Sequence, residues 1–551
     1  MRAIDAIAHI LKQEGVEYLS TFPSTPLIEA AAKVGIRPIV CRQERVGVGI
    51  ADGYTRVTNG RPPGVFAMQY GPGAENAFAG VASAFSDTVP MLFLPMGQPR
   101  ERDGRFPHFS SLRTYASVTK FVEQVRSAEG VGETMRRAFA RLKMGRPGPV
   151  MVEIPTDVAE EEVEASVIEA YRPVKATVSE ADPRDVSRAA EALLKAKNPI
   201  IHAGQGVLYA AASRELVEFA ELVQVPVMTT LAGKSAFPEK HPLSLGSGGS
   251  GVMSGPAYHC LRRADLVFGI GTSFTSHGMT TPIPLDKVLV HATNDPIDIG
   301  RDYNVEYPII GDANLVLRQL IEACTDLVNG RSRREDGSVT EDVAGLKRDW
   351  LDEWEATLTS DQVPINPHRV LHEFMNIADP AETIVTPDSG STRRQFVAFY
   401  ESMGPRTHLG WGKSHGLGAG LGLIIGAKLA APDKFAVNFM GDGAFGMTGL
   451  DFETAVRSKI PILTIVLNNS MLAGEDTGNP TSHRLYGTAD MTGDYAAMAT
   501  AMGGWSERVN DPSEIASSIV RAKRATEDGQ AALLEFITAK DPRSSHADAF
   551  S

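Results

Sequence analysis

Residues 440–470 read "MGDGAFGMTGLDFETAVRSKIPILTIVLNNS". The apolar run "KFAVNF" ends just before Gly441-Asp442-Gly443, and the run "IPILTIVL" ends on Asn468-Asn469. The stretch between them has the pattern of a helix. Both runs are continuous rather than alternating, as strands buried on two faces of a parallel sheet are. Ligands of open α/β sheets bind in the crevice beyond the carboxyl ends of the strands, where Asp442 and the asparagine pair both fall. Glycines let backbone approach a ligand closely, and a helix start offers free N–H groups to an anion. One carboxylate and one amide oxygen make a partial shell for Mg²⁺, completed by phosphates and water. A lone GDG or a lone Asn-Asn is an ordinary turn. Together, across one strand–helix–strand unit, they point to a magnesium-bridged diphosphate.

The same alternation extends outward through the chain. Before residue 160, "VEYLSTF", "RPIVC", "PGVFAM", "VPMLFLPM" and "GPVMVEI" read as buried strands with helical stretches between them. "NPIIHAG", "VPVMTT", "ADLVFGIG" and "KVLVHAT" form a second set, and "ETIVTPD", "KFAVNFMG", "IPILTIVLNN" and "AALLEFITA" a third. The expected architecture is α/β, with three doubly wound parallel-sheet domains in series over residues 1–170, 185–328 and 360–540. "EEEVEASVIEAYRPVKATVSEADP" reads as a first linker, and "NGRSRREDGSVTEDVAGLKRDW" as a second linker or a solvated helix.

The 551 residues carry a net charge of −13 with acids and bases interspersed. That counts against nucleic acid as a partner. Cys41, Cys260 and Cys324 are widely spaced, which fits neither a disulfide framework nor a zinc site. The first residues read as an amphipathic helix rather than a signal peptide, and apolar stretches of about 8–12 residues are too short to span a bilayer. A cytoplasmic protein with no membrane partner is expected.

The spacing of G-D-G and N-N resembles the thiamin diphosphate fingerprint, and the whole chain resembles the acetolactate synthase/pyruvate decarboxylase family. The resemblance implies that Asp442, Asn469 and the backbone carbonyl of Met471 hold Mg²⁺. Gly441, Gly443 and Ala444 would meet the diphosphate, with "DSGS" at 388–391 (Ser389, Gly390, Ser391) as a second contact. "IRPIVCRQERVGVGIADGYTRVTNG" matches the family's R-H-E-x-x-A and A-x-G-Y-A-R pattern, with Gln43 replacing the histidine. Glu44 would then be the acid that activates the cofactor by protonating its pyrimidine ring. By itself it reads as a solvated glutamate in a helix's first turn. "MQYGPGAENAFAG" resembles the S-G-P-G-x-x-N turn: Gly71, Pro72, Gly73 and Asn76 would line the pyrimidine pocket, and Gln69 would face the substrate. In "SHGLGAGLGLIIGAKLA", Leu417 takes the place of the residue that wedges the cofactor into its bent shape.

The resemblance thins at positions that choose the reaction. Phe109-Ser110 stands where acetolactate synthases carry a phenylalanine–glutamine pair. Ser273-Phe274-Thr275-Ser276-His277 replaces their flavin-binding R-F-x-x-R turn, and "GSGGSGVMSG" replaces their G-M-H-G stretch. FAD is therefore not expected. His108 and His415 are candidates for substrate proton transfer, since histidine titrates near neutrality. The implied enzyme is a thiamin diphosphate- and Mg²⁺-dependent decarboxylase/carboligase for a 2-oxo acid or related carbonyl compound. It would be a homodimer or dimer of dimers with sites shared between subunits. The rival readings are a nucleotide-binding oxidoreductase, resting on "HAGQGV" and "GLGAGLG", and a C–C lyase on a different substrate.

Overall fold

The computed structural model describes residues 1–328, 333–334, 336–410, 412–414, 416–472, 474–541, 543 and 545–546. Seventeen strands among them form three sheets in chain order, and every ladder is parallel.

In the first sheet β1 (Tyr18–Thr21), β2 (Arg37–Val40), β3 (Val65–Met68), β4 (Leu92–Gly97), β5 (Phe121–Gln124) and β6 (Val150–Pro155) run in the order β2-β1-β3-β4-β6-β5. The second holds β7 (Pro199–Ala203), β8 (Val227–Thr229), β9 (Ser244–Ser247), β10 (Leu266–Ile270), β11 (Val288–Thr293) and β12 (Tyr307–Ile310), ordered β12-β11-β10-β7-β8-β9. The third has β13 (Thr383–Pro387), β14 (Phe435–Gly441), β15 (Leu463–Asn468), β16 (Trp505–Val509) and β17 (Ala532–Ile537), ordered β13-β14-β15-β17-β16. This is the three-domain parallel α/β architecture expected from the apolar runs.

Six helices matter below: α1 (Ala3–Gln13), α2 (Glu44–Thr58), α3 (Pro72–Ser86), α4 (Ser338–Leu358), α5 (Ala419–Ala430) and α6 (Asp442–Thr448). The amphipathic N-terminal segment is α1, whose Ile4, Ile7, Ile10 and Leu11 are buried. The charged segment after the second sheet includes α4, and it is more than solvated. Trp350 stacks on Phe399 with ring centroids 4.9 Å apart, and Val343 joins the core of the second domain.

One core cluster belongs to two domains at once. Ile50, Phe66 and Met68 of the first pack in the same cluster as Leu421, Ile424 and Phe445 of the third. The cause is a crossing of α2 and α5 so close that side chains are excluded. A Cβ added to Gly422 would lie 2.6 Å from the Val46 carbonyl oxygen and 3.0 Å from Cα of Gly49. A Cβ on Gly53 would overlap the Leu423 carbonyl, and one on Gly426 the Ile50 carbonyl. Gly422, the last glycine of the stretch that resembles a dinucleotide loop, is therefore a packing glycine. No helix among the described residues is long and apolar enough to cross a membrane.

Candidate cofactor site

The turn after β14 carries Asp442 at the first position of α6, almost fully buried. Its Oδ1 accepts the N–H of Gly443 at 2.9 Å, whereas Oδ2 is buried with no hydrogen-bond partner. Burial pushes its carboxyl upward, and the N–H groups of Gly443, Met471 and Ser470 pull it back down. An orphaned carboxylate oxygen in a buried position is costly unless a cation or donor meets it.

The turn after β15 supplies the other half. The Asn469 Oδ1 accepts the Met471 N–H at 3.1 Å, and an amide oxygen has a second lone pair to offer. Asn468 is the structural member of the pair. Its Nδ2 donates to Glu535 Oε1 at 2.7 Å, and its Oδ1 accepts the N–H of Ser470 at 2.9 Å. Glu535, wholly buried on β17, also accepts the Ala496 N–H at 2.9 Å. It anchors the turn from a neighbouring strand, a role for which the sequence carries no local signal. The segment beyond pairs antiparallel through Met471 and Asp490. No cluster of three or more His, Cys, Asp or Glu side chains suited to a metal occurs among the described residues. The donor set at this turn is one carboxylate, one amide and backbone carbonyls, which suits a hard oxygen-seeking cation such as Mg²⁺. On the orphaned Oδ2 and this donor set, the residues fit the metal.

The turn after β13 is tied to the start of α5. Asp388 is fully buried, and its Oδ1 accepts the N–H groups of Ser389 and Gly418 at 2.6 and 2.9 Å. Its Oδ2 accepts the N–H of Gly420 at 2.9 Å. Burial pushes this carboxyl up to about 6 despite those donors. Leu417 precedes the clamp, and its Cδ2 lies 3.7 Å from where a Cβ on Gly390 would stand. Gly418 has φ +87° and packs on Thr448 of α6, whose Oγ1 donates to its carbonyl at 2.8 Å. Ser389–Ser391, Leu417 and the start of α6 thus converge at the carboxyl ends of β13 and β14.

Glu44 opens α2 after β2, is 4% exposed, and accepts a hydrogen bond from Asn76 Nδ2 at 3.3 Å. The β3–α3 turn lies against it. A Cβ on Gly73 would sit 2.9 Å from Gln69 Cγ and 3.6 Å from Glu44 Oε1. Gly71 has φ +63° with open space beside it, and Pro72 occupies the first position of α3. The structure brings Glu44, Gln69, Pro72 and Asn76 together in one cradle. Among the described residues no hydrogen bond or ion pair joins this cradle to Asp442 or Asn469. His108 lies on an exposed segment, its side chain hydrogen-bonded to no described residue. His415 lies outside the described residues.

The second domain presents a cavity of about 760 Å³ at the carboxyl ends of its strands, where all three domains meet. Phe274 of the replaced arginine turn points inward, its ring 4.7 Å from that of His291 and 5.8 Å from that of His202. Arg301 reaches the turn from elsewhere, donating to the Ser273 carbonyl at 3.1 Å, but it is paired with Asp298 at 2.7 Å. The glycines of "HAGQGV" serve packing, since a Cβ on Gly206 would lie 2.7 Å from Gly271 Cα.

Three family models match in chain order. The thiamine pyrophosphate enzyme N-terminal TPP binding domain covers 1–119, the central domain 186–320, and the C-terminal TPP binding domain 388–536. The chain belongs to the thiamine pyrophosphate enzyme family. Its relatives in the family include a probable acetolactate synthase large subunit of Methanococcus aeolicus, 30% identical over 99% of this chain and 93% of the relative. One from Methanocaldococcus jannaschii is 30% identical over 95% and 90%. The acetolactate synthase isozyme 3 large subunit of Escherichia coli is 27% identical over 85% and 82%. The chain is thus an acetolactate synthase-like, thiamin diphosphate-dependent enzyme of this family.

Proposed function

We propose that this enzyme is a thiamin diphosphate- and Mg²⁺-dependent decarboxylase/carboligase acting on a 2-oxo acid. The observation that carries the reading is the buried, unpartnered Oδ2 of Asp442 facing the Asn469–Met471 turn. In this reading Asp442, Asn469 and the Met471 carbonyl hold the metal, and the N–H groups of Gly443 and Ala444 receive the diphosphate. When bound, the cofactor supplies a nucleophilic carbon that takes over the carbonyl chemistry. The chain's own part would be to bind, orient and move protons: Leu417 would press against the cofactor, and Glu44, held by Asn76, would give and take a proton at its carboxyl. As the family resemblance implies, the reading includes a two-fold dimer in which each site takes its glutamate from one chain and its metal turn from the other. A dimer of dimers would keep the same sites.

The test is a screen of 2-oxo acids, alone and with aldehydes, on protein supplied with thiamin diphosphate and Mg²⁺, following CO₂ and products. Release of CO₂ dependent on both additions is the expected result. A purified protein whose mass spectrum shows a tightly held nicotinamide, with no CO₂ from any 2-oxo acid, would favour the oxidoreductase reading instead.

A further inference from the structure

The first two residues of α2 face different neighbours. Glu44 is held by Asn76 within its own domain. Arg45 instead crosses to the third domain of the same chain, where its Nη2 donates to the Leu417 carbonyl at 3.0 Å. Its Nη1 lies 3.3 Å from where a Cβ on Gly416 would stand. The guanidinium is half-buried, and its electrostatic attraction is to Asp388, the residue that clamps the N–H groups of Gly418 and Gly420. Leu417 is therefore fixed from two sides: a first-domain cation on its carbonyl, and a third-domain carboxylate on the amides that follow. A carbonyl held by a charged donor is held more firmly than one in a neutral bond.

We propose that Arg45 is a positioning residue for Leu417, and that through it the first turn of α2 serves two cofactor sites of one dimer. Glu44 serves the site completed by the partner's third domain, and Arg45 braces the site in its own chain. The inference rests on the shared-site reading above. Two neighbouring residues on one helical turn then link the two sites mechanically, with no cofactor contact by Arg45 itself.

The homodimer test uses calorimetry with Mg²⁺ present. Arg45→Met should weaken thiamin diphosphate binding about ten- to a hundredfold, the range of a lost hydrogen bond to a charged group. Binding of inorganic pyrophosphate should stay within about twofold, because the metal turn is untouched. Arg45→Lys should recover most of the affinity. Equal loss for both ligands, or no loss for either, would overturn the positioning role.

The two-site claim is tested in doubly tagged heterodimers of one Asp442→Ala chain and one Glu44→Ala chain. Their single intact site uses the glutamate of the first chain and the Leu417 of the second. Arg45→Met placed in the Glu44→Ala chain should weaken thiamin diphosphate binding there. Placed in the Asp442→Ala chain it should not. Equal effects in either position would overturn the two-site claim while leaving the function reading intact. A parent heterodimer with no intact site for thiamin diphosphate would overturn the shared-site reading and this claim together.

Discussion

The carboxylate of Asp388 holds the backbone N–H of Gly418 at 2.9 Å, so a strand end of the third sheet grips the residue that follows Leu417. Replacing Asp388 by Ala leaves three N–H groups, those of Ser389, Gly418 and Gly420, without this acceptor. Each unsatisfied buried donor costs roughly 1–3 kcal/mol. The variant should melt at lower temperature and bind thiamin diphosphate more weakly, checked by calorimetry of the same preparation.

Glu44→Gln should leave the fold unchanged, since a side-chain amide oxygen still accepts from Asn76. Turnover of the best 2-oxo acid should fall about 10²–10⁴-fold, the range for loss of a general acid–base group. Near wild-type turnover would remove Glu44 from the reaction.

Asp442→Ala deletes the carboxylate whose Oδ2 has no partner. Without Mg²⁺ the variant should lose little stability, because removing the unpaired Oδ2 relieves a cost that offsets the acceptor lost to the Gly443 N–H. With Mg²⁺ its affinity for thiamin diphosphate should drop at least about tenfold, the scale of one charge-assisted contact. Unchanged affinity with the metal present would count against the metal assignment.

Asp451 offers a pH test. Its Oδ1 accepts the Arg42 N–H at 2.7 Å and the Thr454 hydroxyl at 2.9 Å, and burial pushes its carboxyl from 3.8 up to about 6. The folded state therefore holds a proton that the unfolded chain has released. That contribution to stability is full below about pH 4 and is lost as pH rises through about 6. Asp451→Asn keeps the accepting oxygen and removes the titration. Wild-type unfolding free energy should fall more steeply than the variant's across this window, by on the order of 2–3 kcal/mol in urea titrations at stepped pH.

The purified protein should show no stoichiometric flavin absorption. The turn at 273–277 carries no arginine, the Arg301 that reaches it from outside is engaged by Asp298 and Asp302, and Phe274 is turned toward the histidines. A flavin spectrum at one per chain would show that other residues replace the arginine turn.

The apolar runs revealed every interior strand of the three sheets and the two edge strands β2 and β13. β5, β9, β12 and β16 escape the apolar-run reading, and all four are sheet edges. "FVEQ" and "WSERV" mix charged and apolar residues because an edge is partly solvated. At the site, turns were legible because glycine, asparagine and aspartate have to sit at fixed offsets there. Asp388 as a clamp, Glu535 as an anchor and Arg45 as a brace were not, since each acts on residues distant in the chain. The glycines of α5 were legible as a motif but not as a contact, because only the fold shows that α2 lies against them.

That crossing also governs how the molecule opens. Backbone lies against backbone at Gly49 and Gly422, leaving no side chain that can swing aside to admit water one residue at a time. Amides of Ile50 and Leu423, far apart in sequence, should therefore lose hydrogen-exchange protection together, as one cooperative unit. A protease that nicks the chain between the second and third sheets should leave the two ends joined, and the fragments should part only when the first and third domains unfold as one.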